Sequence, residues 1–142
     1  MQSFESAALI NARSSTVWDI ITDVGNFTVW ESGITWIDGE LRNGGTTRIK
    51  TLWRKERPIR VRVQQLPGQV MTWKAGTLLG LLTRTRTFTL TPQEGLTRFR
   101  VRDEFRGPLI WFTDGTVPDA GQGLNDYVDA VKKRAELLDR AI

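Results

Sequence analysis

Arg84, Arg86 and Asp103 are the residues best placed to do chemistry, because they are charged side chains on an otherwise apolar strand face. They belong to a stretch, Leu81–Pro108, that reads as a long β-hairpin. From Thr83 to Thr91 the threonines take one face, and Arg84, Arg86, Phe88 and Leu90 take the other. Such period-two alternation with β-branched residues marks a half-buried strand. Pro92-Gln93-Glu94-Gly95 supplies the turn. The return strand sets Thr97, Phe99, Val101, Asp103 and Phe105 against Arg98, Arg100, Arg102, Glu104 and Arg106. If Thr91 faces Leu96, then Phe88 meets Phe99, Arg86 meets Val101 and Arg84 meets Asp103. An inward Arg–Asp pair is either functional or a structural pair at a cavity rim, since charges rarely go inside unpaired. In this register Arg86 has no partner. It can hold a carboxylate or phenolate, or snorkel to the rim.

Composition narrows the chemistry further. The 142 residues include no Cys and no His. Disulfides, zinc sites built on those residues and every nucleophile activated by histidine are thereby excluded. A general acid or base must come from Asp, Glu, Lys, Arg or the single tyrosine, Tyr127. The candidates for catalysis are therefore Arg86, Asp103 and Tyr127. Asp38/Glu40 and Asp114/Asp119 lack metal-site spacing, and Gly121-Gln122-Gly123 is not a dinucleotide loop because no strand leads straight into it. Neither a metal nor another cofactor is expected. A net charge of +4 admits anionic partners, but it is modest and spread along solvated strand faces. We expect one domain over residues 1–142, without a signal peptide or membrane span. The expected protein is cytoplasmic, and a monomer or homodimer.

These side chains must be positioned by an order of β–α–α–β–β–β–β–β–β–α. Phe4–Ala12 reads as the first strand, with Asn11 or Ser14/Ser15 as N-cap to a helix over Ser15–Val24, ended by Gly25. Asn26–Glu31 reads as a second helical turn presenting Phe27 and Trp30. Ile34–Arg42, Thr46–Arg54, Pro58–Leu66 and Gln69–Ala75 read as strands, with turn signals at Asn43-Gly44-Gly45 and Pro67-Gly68. From Pro118 onward Leu124, Val128, Val131, Ala135 and Leu138 form a helical stripe with Tyr127 beside it. Gly121 and Gly123 mark either a poor helix start or room left for a ligand. This predicts an α+β protein in which a curved antiparallel sheet of six to seven strands wraps a long C-terminal helix. Its outer face would hold Arg48, Lys50, Arg54, Arg60, Arg62, Arg98, Arg100 and Arg102 in water.

The whole pattern resembles the START/Bet v 1-like (SRPBCC) superfamily, the helix-grip fold. The resemblance is carried by the opening strand followed by STVWDIITDVGNFTVW, by NGGTTRIK, by TRTFTLTPQEGLTRFRVRDEFRGPL and by the terminal amphipathic helix. Phe88–Gly107 is similar to the F-x-L, G-x-T-R-F and E-F-x-G run of polyketide cyclase/dehydrase-like bacterial members. The resemblance implies a deep pocket between sheet and helix that holds a hydrophobic small molecule. Superfamily members include lipid and sterol carriers, hormone receptors and aromatic-ring cyclases. The cyclases differ among themselves in catalytic residues, so none transfers to this chain, and the absence of histidine departs from members that use one.

On that basis the pocket wall would comprise Trp36, Trp53, Met71, Trp73, Arg86, Phe88, Phe99, Val101 and Phe105. Phe27 and Trp30 would stand at one mouth, and Leu124, Tyr127, Val128 and Val131 would come from the helix. Arg84, Arg86, Asp103 and Tyr127 are the polar anchors. Such a set has the character of a ligand site, and it equally has that of a filled core. Three readings follow. The first is binding of a lipid or an aromatic polyketide-like molecule. The second is a cyclase or dehydratase using Arg, Asp or Tyr. The third is docking of an anionic macromolecule on the outer arginines, with nucleic acid disfavoured because few aromatics stand there.

Overall fold

The computed structural model describes residues 2–51, 54–76, 82–107 and 120–140, with backbone only at 54–57 and 120. β1 (Gln2–Ile10) is followed by α1 (Ser14–Thr22) and a 3-10 turn at Val24–Asn26. Then come β2 (Ile34–Asp38), β3 (Thr46–Thr51), β4 (Arg54–Leu66), β5 (Val70–Gly76), β6 (Thr83–Gln93) and β7 (Leu96–Arg106). The long helix α2 (Ala120–Arg140) ends the described chain. All strands pair antiparallel in one curled seven-stranded sheet, ordered β1-β7-β6-β5-β4-β3-β2. The first strand thus pairs with the last, and β1 and β2 form opposite edges. This is the helix-grip α+β arrangement.

Alternation in β7 is complete: Thr97, Phe99, Val101, Asp103 and Phe105 are buried and the residues between them are not. The buried strand residues face α2, whose Leu124, Tyr127, Val128, Val131 and Ala135 recur at helical spacing. Side chains such as Phe88 and Phe99, both at 0% exposure, each contribute about 1.5–3 kcal/mol by leaving water. Leu138 does not continue the stripe. It is 40% exposed.

The hairpin register differs from the expected one by two residues. Gln93 pairs with Leu96, so Leu90 meets Phe99, Phe88 meets Val101, and Arg86 meets Asp103. The reason lies in the turn, which is Glu94-Gly95 alone, with φ of 52° and 83°. Positive φ at both central residues matches the right-handed strand twist, so Pro92 and Gln93 remain in the strand. The shift is even, and every side chain keeps its face.

Helix α1 starts a residue early and stops at Thr22, and the 3-10 turn also begins earlier than expected, with Gly25 inside it. No local side chain caps α1; its N-cap residue is Arg13. The carboxylate of Asp139, on α2, instead ties down the residues that open the helix. It accepts from Arg13 N at 2.6 Å, Thr16 Oγ1 at 2.6 Å and Arg13 Nη2 at 3.1 Å. One turn earlier Glu136 accepts from Asn11 N at 2.9 Å, and Lys132 donates to Leu9 O at 2.8 Å. The C-terminal half of α2 is thus fastened to the β1–α1 junction.

The hydrogen bonds from Thr16 and Arg13 hold the Asp139 carboxyl down at about 2. Its stabilising effect is therefore present above the unfolded-state value near ~3.9 and is lost as pH falls through the folded value. Asp139→Ala should cost about 1–2 kcal/mol at neutral pH, the scale of losing hydrogen bonds to a charged group at a partly exposed site. In urea melts the gap between variant and parent should narrow as the pH is taken from 5 towards about 2.

Candidate functional site

Arg84 and Arg86 lie two apart on β6 and therefore share its inner face, opposite Phe105 and Asp103 of β7. Asp103 has no exposed surface, while the arginine side chains are 40% and 18% exposed. Arg86 grips the carboxylate in a fork, with Nε to Oδ1 at 2.8 Å and Nη2 to Oδ2 at 2.9 Å. Arg84 Nη2 adds a third bond to Oδ2 at 2.8 Å. Arg86, expected to be unpaired, is thus the closer partner. The cluster carries one carboxylate and two guanidiniums, a surplus of one positive charge.

Burial works against charge on all these groups. For Asp103 it is outweighed by the hydrogen bonds and charge of Arg86 and then of Arg84, so its carboxyl lies below the usual range. Burial likewise opposes the charge on Arg86, yet hydrogen bonding to Asp103 prevails and raises its pKa. In Arg84 burial, reinforced by repulsion from Arg86, prevails and lowers it. Burial pushes the Tyr127 hydroxyl up, against the opposing charge of Arg86. At neutral pH Asp103 is therefore an engaged carboxylate, poorly suited to take a proton, and Tyr127 is a neutral phenol.

The cluster bridges two aromatic groups. The Arg86 guanidinium lies 5.6 Å from the Tyr127 ring centre, and that of Arg84 lies 5.4 Å from the Phe105 ring centre. Phe105 meets Phe4 of β1 edge to face, and Phe4 in turn occupies the space beside Gly121, where a Cβ would stand 3.4 Å from its Cδ1. On the Tyr127 side the rings close a circuit: Trp73, Phe88, Tyr127, Trp30 and Phe27, with successive centres 5.1–6.5 Å apart. Phe99 also packs on Tyr127. The indole N–H of Trp73 is buried in this apolar interior without an acceptor among the described residues.

Of the expected wall residues, Met71, Trp73, Phe88, Phe99, Val101, Leu124, Tyr127, Val128 and Val131 come together in one buried cluster with Phe27. Phe105 is buried on its own side of the ion cluster. Phe27 does not stand at a mouth, being 1% exposed between Trp30 and Trp73. Trp36 lies on the opposite face of the sheet. A register irregularity between Ile34 and Trp36 turns Ile34 inward and Trp36 outward, against Arg48 and Lys50. Trp53 is outside the described residues. A cleft of about 410 Å³ lies elsewhere, between α1, the 3-10 turn and the end of α2; its walls include Thr16, Asp19, Ile20, Arg134 and Leu138. Trp30 lines it too, so one residue borders both cleft and aromatic circuit. No sequence signal marks the cleft, because its walls come from polar helix faces distant in the chain.

Fold and site together define a Bet v 1-like, helix-grip protein of the SRPBCC superfamily. The profile of the family described as "Polyketide cyclase / dehydrase and lipid transport" matches residues 1–136, and the chain belongs to that family. Protein MLL2253 from Mesorhizobium loti is similar in structure, with a TM-score of 0.76 at 18% identity, and the match covers 99% of both chains. The di-domain ARO/CYC BexL from the BE-7585A biosynthetic pathway matches with a TM-score of 0.69 at 16% identity, covering 92% of this chain and 46% of BexL. Ara h 8.0201 matches with a TM-score of 0.67 at 12% identity, covering 94% and 97%. At these identities the likeness is one of fold. No curated protein matches the sequence.

Removing Asp103 would leave two guanidiniums facing each other on an apolar wall. Asp103→Ala should cost about 3–5 kcal/mol in a urea melt. The triple replacement Arg84→Met, Arg86→Met, Asp103→Leu should recover most of that loss, since apolar packing can replace a buried ion cluster.

Proposed function

We propose that the protein binds a hydrophobic small molecule between sheet and α2, with an anionic or strongly polarised oxygen of that molecule set against Arg84 and Arg86. The observation that carries this reading is the surplus positive charge on the inner face. Asp103 takes one N–H of Arg84 and two of Arg86, and a guanidinium offers five donors. The remaining guanidinium donors and the buried Trp73 N–H are capacity that a ligand oxygen would take up. The family description, which names polyketide chemistry and lipid transport, supports an apolar ligand, as does the fold of BexL. A lipid acid or a phenolic, polyketide-like molecule has the required form.

A second reading has a specific observation in its favour. The Arg86 guanidinium lies against the Tyr127 ring, 5.6 Å from its centre, and both side chains carry donors of the kind that polarise a carbonyl without a metal. A cyclase- or dehydratase-type reaction on this site would use them as donors, with Asp103 holding Arg86 in place and the proton acceptor belonging to the substrate or to water.

The test compares 9-anthracenecarboxylate with its methyl ester by fluorescence titration. One charged hydrogen bond, worth about 1.5–3 kcal/mol, should make the acid bind about ten- to a hundredfold tighter. Arg84→Met should remove that preference and leave the ester unaffected, because Asp103 keeps the two bonds from Arg86. Equal affinity for acid and ester, or no saturable binding of either, would overturn the reading.

A further inference from the structure

On the side of the sheet turned away from α2, strands β2 to β5 gather Trp36, Arg48, Lys50, Arg60, Arg62 and Lys74. Arg48 stands directly across from Arg60, and Arg62 directly across from Lys74. Like charges so placed weaken a sheet. Asp38 pairs with Arg48. Among the described residues no carboxylate pairs with Lys50, Arg60, Arg62 or Lys74. The five cations exceed Asp38 by four, and the net charge of the chain is +4. The described side chains of this patch thus carry a surplus of four positive charges.

Trp36 stands at the edge of this patch on the edge strand β2 and is 36% exposed. Arg48 Cζ lies 5.9 Å and Lys50 Nζ 5.2 Å from its ring centre. A large aromatic ring held in water by two cations is a poor use of a tryptophan unless something covers it.

We propose that this face docks on an anionic lipid surface. Lipid phosphates and carboxylates would separate the opposed cations and relieve their repulsion. Tryptophan belongs at the headgroup level of a bilayer, where its ring is sheltered and its N–H remains bonded. Single-stranded nucleic acid fits less well. It needs successive aromatic rings along a groove, whereas among the described residues this is a broad sheet face with one ring at its rim. The proposal is independent of the interior ligand.

The test is cosedimentation of the full chain with phosphatidylcholine vesicles and with phosphatidylcholine–phosphatidylserine vesicles. Binding to the anionic vesicles should be at least about tenfold stronger at low salt, and should fall as salt screens the face. Arg60→Gln with Arg62→Gln should lose about tenfold of that binding while the melting temperature stays level or rises, since like-charge contacts are removed. Trp36→Ala should weaken binding further. Arg134→Gln, on α2, should change nothing. Equal partition onto both vesicles would overturn the proposal, as would undiminished binding by the double variant. Binding to a single-stranded oligonucleotide but to neither vesicle would also overturn it and assign the face to nucleic acid. None of these outcomes depends on the acid–ester comparison, because no interior ligand takes part.

Discussion

Asp103 holds two arginines on the inner wall of a sheet that is otherwise built for hydrocarbon. The carboxylate is wholly buried and accepts three hydrogen bonds from Arg84 and Arg86. Without it the arginines could not stay inside, and without them the carboxylate could not stay charged. The facing strands β6 and β7 thus carry a charge-assisted clasp where most strands carry only apolar side chains. Because one carboxylate serves two guanidiniums, the clasp keeps a net positive charge and unused donors. Its flanks are aromatic: Tyr127 lies under Arg86, and Phe105 lies under Arg84. The stability of the wall and its capacity to receive an oxygen therefore arise from the same side chains.

The helix that faces this wall is fixed from its other end. Glu136 and Asp139 accept backbone N–H groups at the β1–α1 junction, so the register of α2 over the sheet is set by polar contacts far from the aromatic circuit. Tyr127 then falls where it can touch Phe88, Phe99, Trp30 and the Arg86 guanidinium. At the N-terminal end of α2, Phe4 packs beside Gly121.

Much of this was legible in the residues. Period-two alternation identified the strands and, for β6 and β7, which side chains go inside. That result survived a register error of two residues, because an even slip preserves faces. The error came from treating Pro92 and Gln93 as turn residues, when positive φ at Glu94 and Gly95 is enough to reverse the chain. It also exchanged partners, so the dominant ion pair involves Arg86 and not Arg84 alone. Trp36 was misplaced because an irregularity in β2 changes the face without any glycine or proline to announce it. The bonding of Asp139 to the start of α1 could not be read locally, since the two lie more than a hundred positions apart in the chain. The outer patch was visible as scattered arginines, but the opposition of Arg48 to Arg60 and Arg62 to Lys74 needed the register.

An interior that receives a molecule by its polar end, at Arg84 and Arg86, should release that molecule on extraction. Mass spectrometry of an organic extract from the natively purified protein, alongside the Arg84→Met variant, should find a hydrophobic acid or phenol at near-stoichiometric amount from the parent and much less from the variant. A neutral hydrocarbon retained equally by both, or an empty extract from a parent that also fails to take up added hydrophobic acids, would contradict this reading.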